Sequence, residues 1–251
     1  MRVANRVLAK LLGALLMIGA GHGAAGEIRV AAASNVAGAV KELAERFESQ
    51  TDHRIILAFG STGRHFAQIR NGAPFDLFMA ADVERPRRLG QEGVAVPDTR
   101  FTYARGILVL WSPRPDYVDA DGRVLTHGSF RHLALANPRL APYGLAARQV
   151  LRARGLWQAT EGRRVMGKNV SQTFQFVRTG NAELGFVAAS QLQSSGVDGG
   201  GSRWRVPASL HGPIDQQAVL IRESQPAREF LDFLRSGEAR PVFREFGYEV
   251  P

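Results

Sequence analysis

Short apolar runs alternate with amphipathic helical patterns along this chain. Ile28–Ala33 predicts a buried strand, and Arg54–Phe59 predicts a second one. Between them, Val36–Glu48 carries apolar residues at helical spacing, which predicts a helix with one face toward the core. The predicted core face consists of Val36, Ala39, Val40, Leu43, Ala44 and Phe47. The order strand, helix, strand indicates a βαβ unit and an α/β fold.

The alternation is broken by two longer apolar segments. Thr102–Trp111 predicts a long strand with a glycine in its middle, which suits a crossover between two lobes, and Ile214–Ile221 predicts the return crossover. The other predicted strands are Asp76–Ala81, His132–Ala136 and Glu183–Ser190. The other predicted helices are a segment that ends at Asn71-Gly72, Val83–Glu92, Tyr143–Arg154, Lys168–Asn181, Ala227–Leu234 and Ala239–Phe246.

These elements predict an α/β protein with about six or seven strands, arranged as two βαβ lobes joined by two crossover strands. The predicted first lobe comprises residues 26–106 and 218–251, and the second comprises residues 107–217. Strand-to-helix junctions of such sheets collect at one edge, so a ligand cleft is expected between the lobes.

The first 25 residues have the pattern of a secretory signal peptide. Arg2, Arg6 and Lys10 precede the uncharged run 11–20, and small residues follow near Ala25. A membrane anchor is the alternative, but the run is shorter than the roughly 20 residues that span a bilayer. The chain has no cysteine, so it has neither disulfides nor a cysteine for lipid attachment. We therefore expect a protein that is free in the periplasm.

The distribution of charge along the chain argues against nucleic acid as a partner. The chain carries a formal net charge of +9, and without the three basic residues of the predicted signal it has 29 basic and 23 acidic residues, or +6. The arginines are scattered, without a long basic run or interleaved aromatic residues. An overall positive field can still attract small anions.

Polar residues follow two predicted strands at the point where a helix begins. Ser34-Asn35 follows the first strand, and Ser61-Thr62 follows the second. The first N–H groups of a helix have no partner within the helix and carry partial positive charge, which makes such a junction an anion receptor. The alternative is that these side chains only cap their helices.

Two further helix starts lie later in the chain. Tyr143 follows Pro142 at the start of a predicted helix, where it either faces a ligand or packs its ring and exposes its hydroxyl to water. Val170 follows Lys168-Asn169 and offers only a backbone N–H at another predicted helix start.

Motifs for catalysis or metal binding are absent from the sequence. No Gly-x-Ser-x-Gly elbow, phosphate loop or dinucleotide fingerprint occurs, and the histidines are not spaced as metal ligands. An exported hydrolase that uses Ser34 or Ser61 as nucleophile stays open as an alternative, with His65 as the nearest candidate base. We expect a binding protein rather than an enzyme.

Taken together and in order, several segments resemble the periplasmic molybdate-binding proteins of molybdate ABC importers. The resemblance spans essentially the whole chain after the predicted signal, and the Gly-Ala-Pro-x-Asp-Leu-Phe-x-x-Ala-Asp segment is its most specific part. The matching segments are 30–35, 59–63, 72–82, 137–144 and 184–187.

The resemblance implies a type II periplasmic binding protein fold that closes over molybdate or tungstate, a tetrahedral dianion. In that family the anion is held by neutral hydroxyl and backbone N–H donors. Carried over by position, Ser34, Asn35 and Ser61 belong to the first lobe, and Tyr143 and Val170 belong to the second. No cofactor is implied; the implied partners are the oxyanion and a membrane permease, and the implied form is a monomer.

Two positions depart from many relatives. This chain has Ala188 where they carry a tyrosine, and Tyr143 where they carry a small residue, so the hydroxyl donor has moved to the other wall. Whether Asn35 contributes its side chain or its backbone stays open at this point. A binder of another oxyanion, such as sulfate or chromate, is the alternative within the binding class.

Overall fold

The computed structural model describes residues 25–196 and 200–251. The predicted signal peptide, up to residue 24, lies outside these residues. Within them the chain forms two five-stranded sheets, each covered by helices on both faces. We call each sheet with its helices a lobe.

The sheet of the first lobe is built from both ends of the described chain. Its strands are β1 (Glu27–Ala33), β2 (Arg54–Gly60), β3 (Leu77–Ala80), β4 (Phe101–Gly106) and β10 (Ile214–Leu220). They lie in the order β2-β1-β3-β10-β4, with β1 parallel to β2 and β3, and β10 antiparallel to β3 and β4.

The sheet of the second lobe has the same organisation. Its strands are β5 (Leu108–Ser112), β6 (Leu133–Ala136), β7 (Arg164–Gly167), β8 (Leu184–Ala188) and β9 (Ser202–Arg205). They lie in the order β7-β6-β8-β5-β9, with β6 parallel to β7 and β8, and β5 antiparallel to β8 and β9. In both lobes a central parallel set is extended by antiparallel strands.

The helices bury apolar faces against both sides of each sheet. The first lobe holds α1 (Ala37–Gln50), α2 (Thr62–Arg70), α3 (Glu84–Gln91), α8 (Gln225–Arg235) and α9 (Ala239–Glu245). The second lobe holds α4 (Val124–His127), α5 (Pro142–Ala153), α6 (Val170–Arg178) and α7 (Ala189–Ser194). All six residues of the predicted core face near the N-terminus are buried, which confirms the helical interpretation of that segment. Because the apolar face is removed from water, the hydrophobic effect fixes α1 on the sheet.

The chain crosses between the lobes twice. The strand predicted over Thr102–Trp111 is divided at Ile107, so that β4 pairs in the first sheet and β5 in the second. The return passes from β9 through residues 206–213 to β10, which lies wholly in the first sheet. The predicted boundary between residues 217 and 218 falls inside β10, and the lobe boundaries stay predictions.

The structure has more strands than the apolar pattern predicts. The described residues contain ten strands, among them β7 and β9, for which the pattern gives no prediction. β7 has the sequence Arg-Val-Met-Gly and β9 has Ser-Arg-Trp-Arg. Both are four residues long and lie at sheet edges, where the backbone ladder holds a strand without a continuous apolar run.

Candidate ligand-binding site

A small cavity lies between the lobes, where the carboxyl ends of the parallel strands face each other. All five residues expected to bind a ligand line it. The lining residues are Ala33, Ser34, Asn35, Gly60, Ser61, Thr62, Ala81, Ala141, Pro142, Tyr143, Asn169 and Val170. The cavity is small, so it suits a ligand of only a few heavy atoms.

Ser34 and Ser61 form the first-lobe wall, and neither side chain caps its helix. Ser34 begins a 3₁₀ turn that leads into α1, and Ser61 is the N-cap residue of α2. No side-chain capping bond is present at either start, so the alternative of capping alone is wrong for these residues. Both serines are buried, and their hydroxyls have no hydrogen-bond partner among the described residues. Two hydroxyls without a protein partner thereby face the cavity.

Thr62 has a structural role instead. Its Oγ1 accepts a hydrogen bond from the backbone N–H of Ala81 at 3.1 Å, which ties the start of α2 to the chain after β3.

The side chain of Asn35 is engaged inside the first lobe. Its Nδ2 donates to Gln216 Oε1 at 2.8 Å and to Tyr248 Oη at 3.0 Å, which uses both of its N–H groups. The donor that Asn35 can offer to an anion in the cavity is therefore its backbone N–H.

Tyr143 and Val170 stand on the opposite wall. Tyr143 is the second residue of α5, after Pro142 at the first helical position, and it is 2% exposed. Val170 is the first residue of α6, and the side chain of Asn169 accepts from the backbone N–H of Gln172 at 2.9 Å. That cap satisfies a donor one position beyond Ser171, while the N–H of Val170 belongs to the unpaired first turn. Ala188 ends β8 of the same lobe and does not line the cavity, so the expectation that the hydroxyl donor has moved to the other wall is wrong: positions 188 and 143 belong to one lobe.

The electrostatics of the cavity favour an anion without any formal charge in its walls. No charged residue is among the lining residues. Burial raises the pKa of the Tyr143 hydroxyl well above its ordinary value, with smaller contributions from Tyr248 and Tyr103, so Tyr143 stays a neutral donor. The helix starts supply partial positive charge. No group of histidine, aspartate or glutamate able to hold a metal ion occurs among the described residues.

Direct contacts hold the lobes together around the cavity. The backbone N–H of Gly63 donates to Leu140 O at 2.8 Å, and Ser171 Oγ donates to Ser34 O at 3.0 Å. Ser190 Oγ donates to Asn35 O at 3.0 Å. These bonds join opposite lobes, so the structure is closed at the site.

The arrangement required for a serine nucleophile is not found within the described part of the chain. His65 Nδ1 is paired with Gln68 Oε1 at 3.0 Å, and the ring makes no hydrogen bond to Ser34 or Ser61. Burial lowers the pKa of His65, which keeps the ring neutral at neutral pH.

Sequence reasoning missed the residues behind the cavity. Gln216, Tyr103 and Tyr248 are buried. Gln216 and Tyr248 bond to the Asn35 side chain, and Tyr103 bonds to Gln216. The one signal in the sequence is a polar pair, Gln216-Gln217, within the apolar run of β10.

A cleft between two α/β lobes, closed over neutral donors at helix starts, is the arrangement expected of a solute-binding protein. The sequence profile of the family described as bacterial extracellular solute-binding protein matches residues 28–249, and the chain belongs to this family. No helix of the described residues is long and apolar enough to cross a membrane.

The chain is also similar in sequence and structure to individual proteins of known name. The chain is 48% identical to the molybdate-binding protein ModA of Azotobacter vinelandii, over 89% of this chain and 90% of that one. It is 44% identical to ModA of Rhodobacter capsulatus, over 90% and 89% of the two chains. The solved structure of the periplasmic molybdate-binding protein of Azotobacter vinelandii superimposes with a TM-score of 0.86 and 39% identity in the structural alignment, over 89% of this chain and 99% of that one. The expected family and the two-lobed type II fold are thus confirmed.

Proposed function

We propose that this protein binds molybdate or tungstate as an intact tetrahedral dianion and delivers it to the permease of a membrane ABC importer. One observation carries the proposal: Ser34, Asn35, Ser61, Tyr143 and Val170, which come from four separate helix starts, line one small cavity. The relatives named for molybdate binding support this choice of ligand.

The donor set matches the needs of a dianion. An anion that enters a closed cavity loses its hydration and must regain hydrogen bonds from preorganised donors. Hydroxyl and backbone N–H groups supply them, and each charge-assisted bond contributes about 1.5–3 kcal/mol. Because the donors are already held by the two folded lobes, little ordering is required at binding.

The same donors discriminate between oxyanions. Hydrogen phosphate carries a proton and requires an acceptor, but no carboxylate lines the cavity. Binding of hydrogen phosphate is therefore disfavoured, because its hydroxyl group would have no carboxylate to accept its hydrogen. Sulfate has the charge and shape of molybdate but is smaller, so cavity size must discriminate against it.

The proposed role also implies where the protein works and in what form. We infer that residues 1–25 direct export, that the protein works in the periplasm as a monomer, and that it needs no cofactor. The missing contact between His65 and the two serines supports binding rather than hydrolysis.

A melting-temperature screen of the protein without residues 1–25 tests the proposal. Molybdate and tungstate should raise the melting temperature, because a ligand at a thousandfold excess over its Kd stabilises the folded state by about 4 kcal/mol. Phosphate and the monovalent tetrahedral anion perchlorate should leave it unchanged. Stabilisation by sulfate or chromate with none by molybdate or tungstate would replace the proposed ligand, and no response to any oxyanion would overturn the proposed function.

A further inference from the structure

Gln216 lies behind the cavity, on β10 of the first lobe, and is fully buried. Its Oε1 accepts hydrogen bonds from Asn35 Nδ2 at 2.8 Å and from the Tyr103 hydroxyl at 3.0 Å. The Tyr103 hydroxyl also lies 3.2 Å from Ala80 O and can accept as well as donate, so the amide orientation is fixed by Asn35 Nδ2, which can only donate: turning the Gln216 amide over would bring its NH₂ group against that donor. Nε2 then faces Tyr143 Oη at 3.4 Å.

This contact determines the direction in which Tyr143 donates. An amide N–H can only donate, so the Tyr143 oxygen is the acceptor of this bond. The hydrogen of Tyr143 must point away from Gln216. Because Tyr143 lines the cavity, its hydrogen is free for a ligand there.

Gly106 provides a second, independent observation. A Cβ at this position would overlap Tyr143 Oη and would lie 2.7 Å from Gln216 Nε2. The backbone of β4 therefore packs directly against the point where the hydroxyl and the amide meet. A residue with a side chain would separate them.

We propose that Gln216 is a positioning residue for oxyanion binding, which holds Tyr143 of the opposite lobe as a hydrogen-bond donor to the ligand. The inference rests on the proposed function. Gln216 also occupies the Asn35 side chain, so that Asn35 faces the cavity with its backbone. The Asn35 side chain also donates to Tyr248 Oη, a bond that does not involve Gln216, so replacing Gln216 tests the contact with Tyr143.

A double-mutant cycle tests this role. Gln216→Met keeps a similar length without donor or acceptor, and molybdate Kd values are measured by calorimetry for this variant in the wild-type and Tyr143→Phe backgrounds. In the wild-type background we expect Gln216→Met to raise the molybdate Kd about tenfold. In the Tyr143→Phe background we expect it to raise the Kd about twofold or less, because no hydroxyl remains there to be oriented. The matched control is Gln217→Met on the same strand, whose side chain bonds to Arg100 and Thr102 instead; it should leave Kd unchanged.

Gln216→Glu keeps the shape and covers the case in which the methionine variant fails to fold. An ionised carboxylate accepts from Tyr143 and draws its hydrogen away from the ligand, whereas the protonated carboxyl can donate again. We expect the affinity of this variant, relative to wild type at the same pH, to recover as the pH is lowered from about 8 to about 6, because burial raises a carboxyl pKa.

The outcomes separate the two proposals. The role of Gln216 would be overturned by equal losses of molybdate affinity in both backgrounds, by no loss of affinity, or by a loss in the glutamate variant that does not change with pH. In each of these cases, molybdate binding by the wild-type protein would still support the proposed function. A wild-type protein that does not bind molybdate overturns both.

Discussion

Ser61, which we propose binds the ligand, shows how little of such a role is visible in the sequence around it. A serine directly before a helix is ordinarily a cap. In this structure its side chain makes no capping bond, and the residue is 5% exposed at the cavity. A hydroxyl that faces a cavity without a protein partner is available to donate to a ligand there.

Replacing Ser61 with alanine should therefore weaken molybdate binding strongly. Loss of one charge-assisted bond predicts a Kd about ten- to a hundredfold higher, measured by calorimetry. The melting temperature without ligand should hardly change, because no capping bond is lost. Ser49→Ala, an exposed serine on α1 far from the cavity, is the control with an unchanged Kd. Equal affinity of the Ser61 variant and wild type would contradict the donor role.

The pH dependence of binding follows from Tyr143. Burial raises its pKa above the ordinary value of about 10, so the hydroxyl stays protonated, and able to donate, as the pH rises. Affinity for molybdate should be constant between about pH 7 and pH 9, and it should be lost only at higher pH. The measurement is a series of calorimetric titrations, with Tyr143→Phe as the reference. A loss of wild-type affinity within this range that is absent in Tyr143→Phe would be inconsistent with a buried neutral donor.

Among the structural elements, α2 links the site to closure of the lobes. Its second residue, Gly63, donates to Leu140 O across the cleft at 2.8 Å. A Cβ at Gly63 would lie 2.9 Å from that same oxygen. The start of α2 can approach the opposite lobe this closely only without a side chain.

Gly63→Ala should hinder closure without harming α2 itself. Overpacking at such a contact costs about 1–3 kcal/mol, which predicts molybdate binding that is about 5- to 150-fold weaker. Small-angle X-ray scattering with saturating molybdate should show a less compact protein than wild type. Gly90→Ala in α3, where no atom lies within 4 Å, is the matched helical control and should keep wild-type affinity. Full compaction and affinity in the Gly63 variant would rule out this explanation.

How well an element could be predicted depended on where its stability comes from. β1 and α1 carry continuous apolar signals because both are buried against the core, and their predicted bounds agree with the structure to within about two residues. β7 and β9 are short edge strands held by backbone pairing, which leaves no such signal. The division of the long strand at Ile107 depends on which sheet each half joins, and that is a property of the tertiary structure.

At the scale of the whole molecule, the site joins residues that are up to 136 positions apart, from Ser34 to Val170. Local patterns identified the helix starts, but only the resemblance to a family placed them in one site. The bonds of Gln216 to Asn35 and Tyr143 depend on the register of β10 and on lobe closure, so no local pattern could predict them.

Charge at the cleft mouth adds a prediction for the rate of binding. Exposed Arg64 of the first lobe and Lys168 of the second line the same groove beside Ser61. Cations on both sides of an entrance attract a dianion, and salt screens this attraction. Arg64→Gln combined with Lys168→Gln should slow molybdate association several-fold at low salt, in stopped-flow measurements, while dissociation stays the same. Arg152→Gln combined with Arg244→Gln, two exposed changes on α5 and α9, removes the same net charge; an equal effect of this control would refute a local entrance.

The central claim is that the cavity retains one oxyanion through neutral donors. Equilibrium dialysis of the protein without residues 1–25 against radiolabelled molybdate measures this directly. We predict one molybdate per chain, displaced by tungstate and not by phosphate, with retention greatly reduced in a Ser61→Ala, Tyr143→Phe double variant. A protein that holds no molybdate above the level of the dialysis buffer, or a double variant that holds as much as wild type, would contradict the claim.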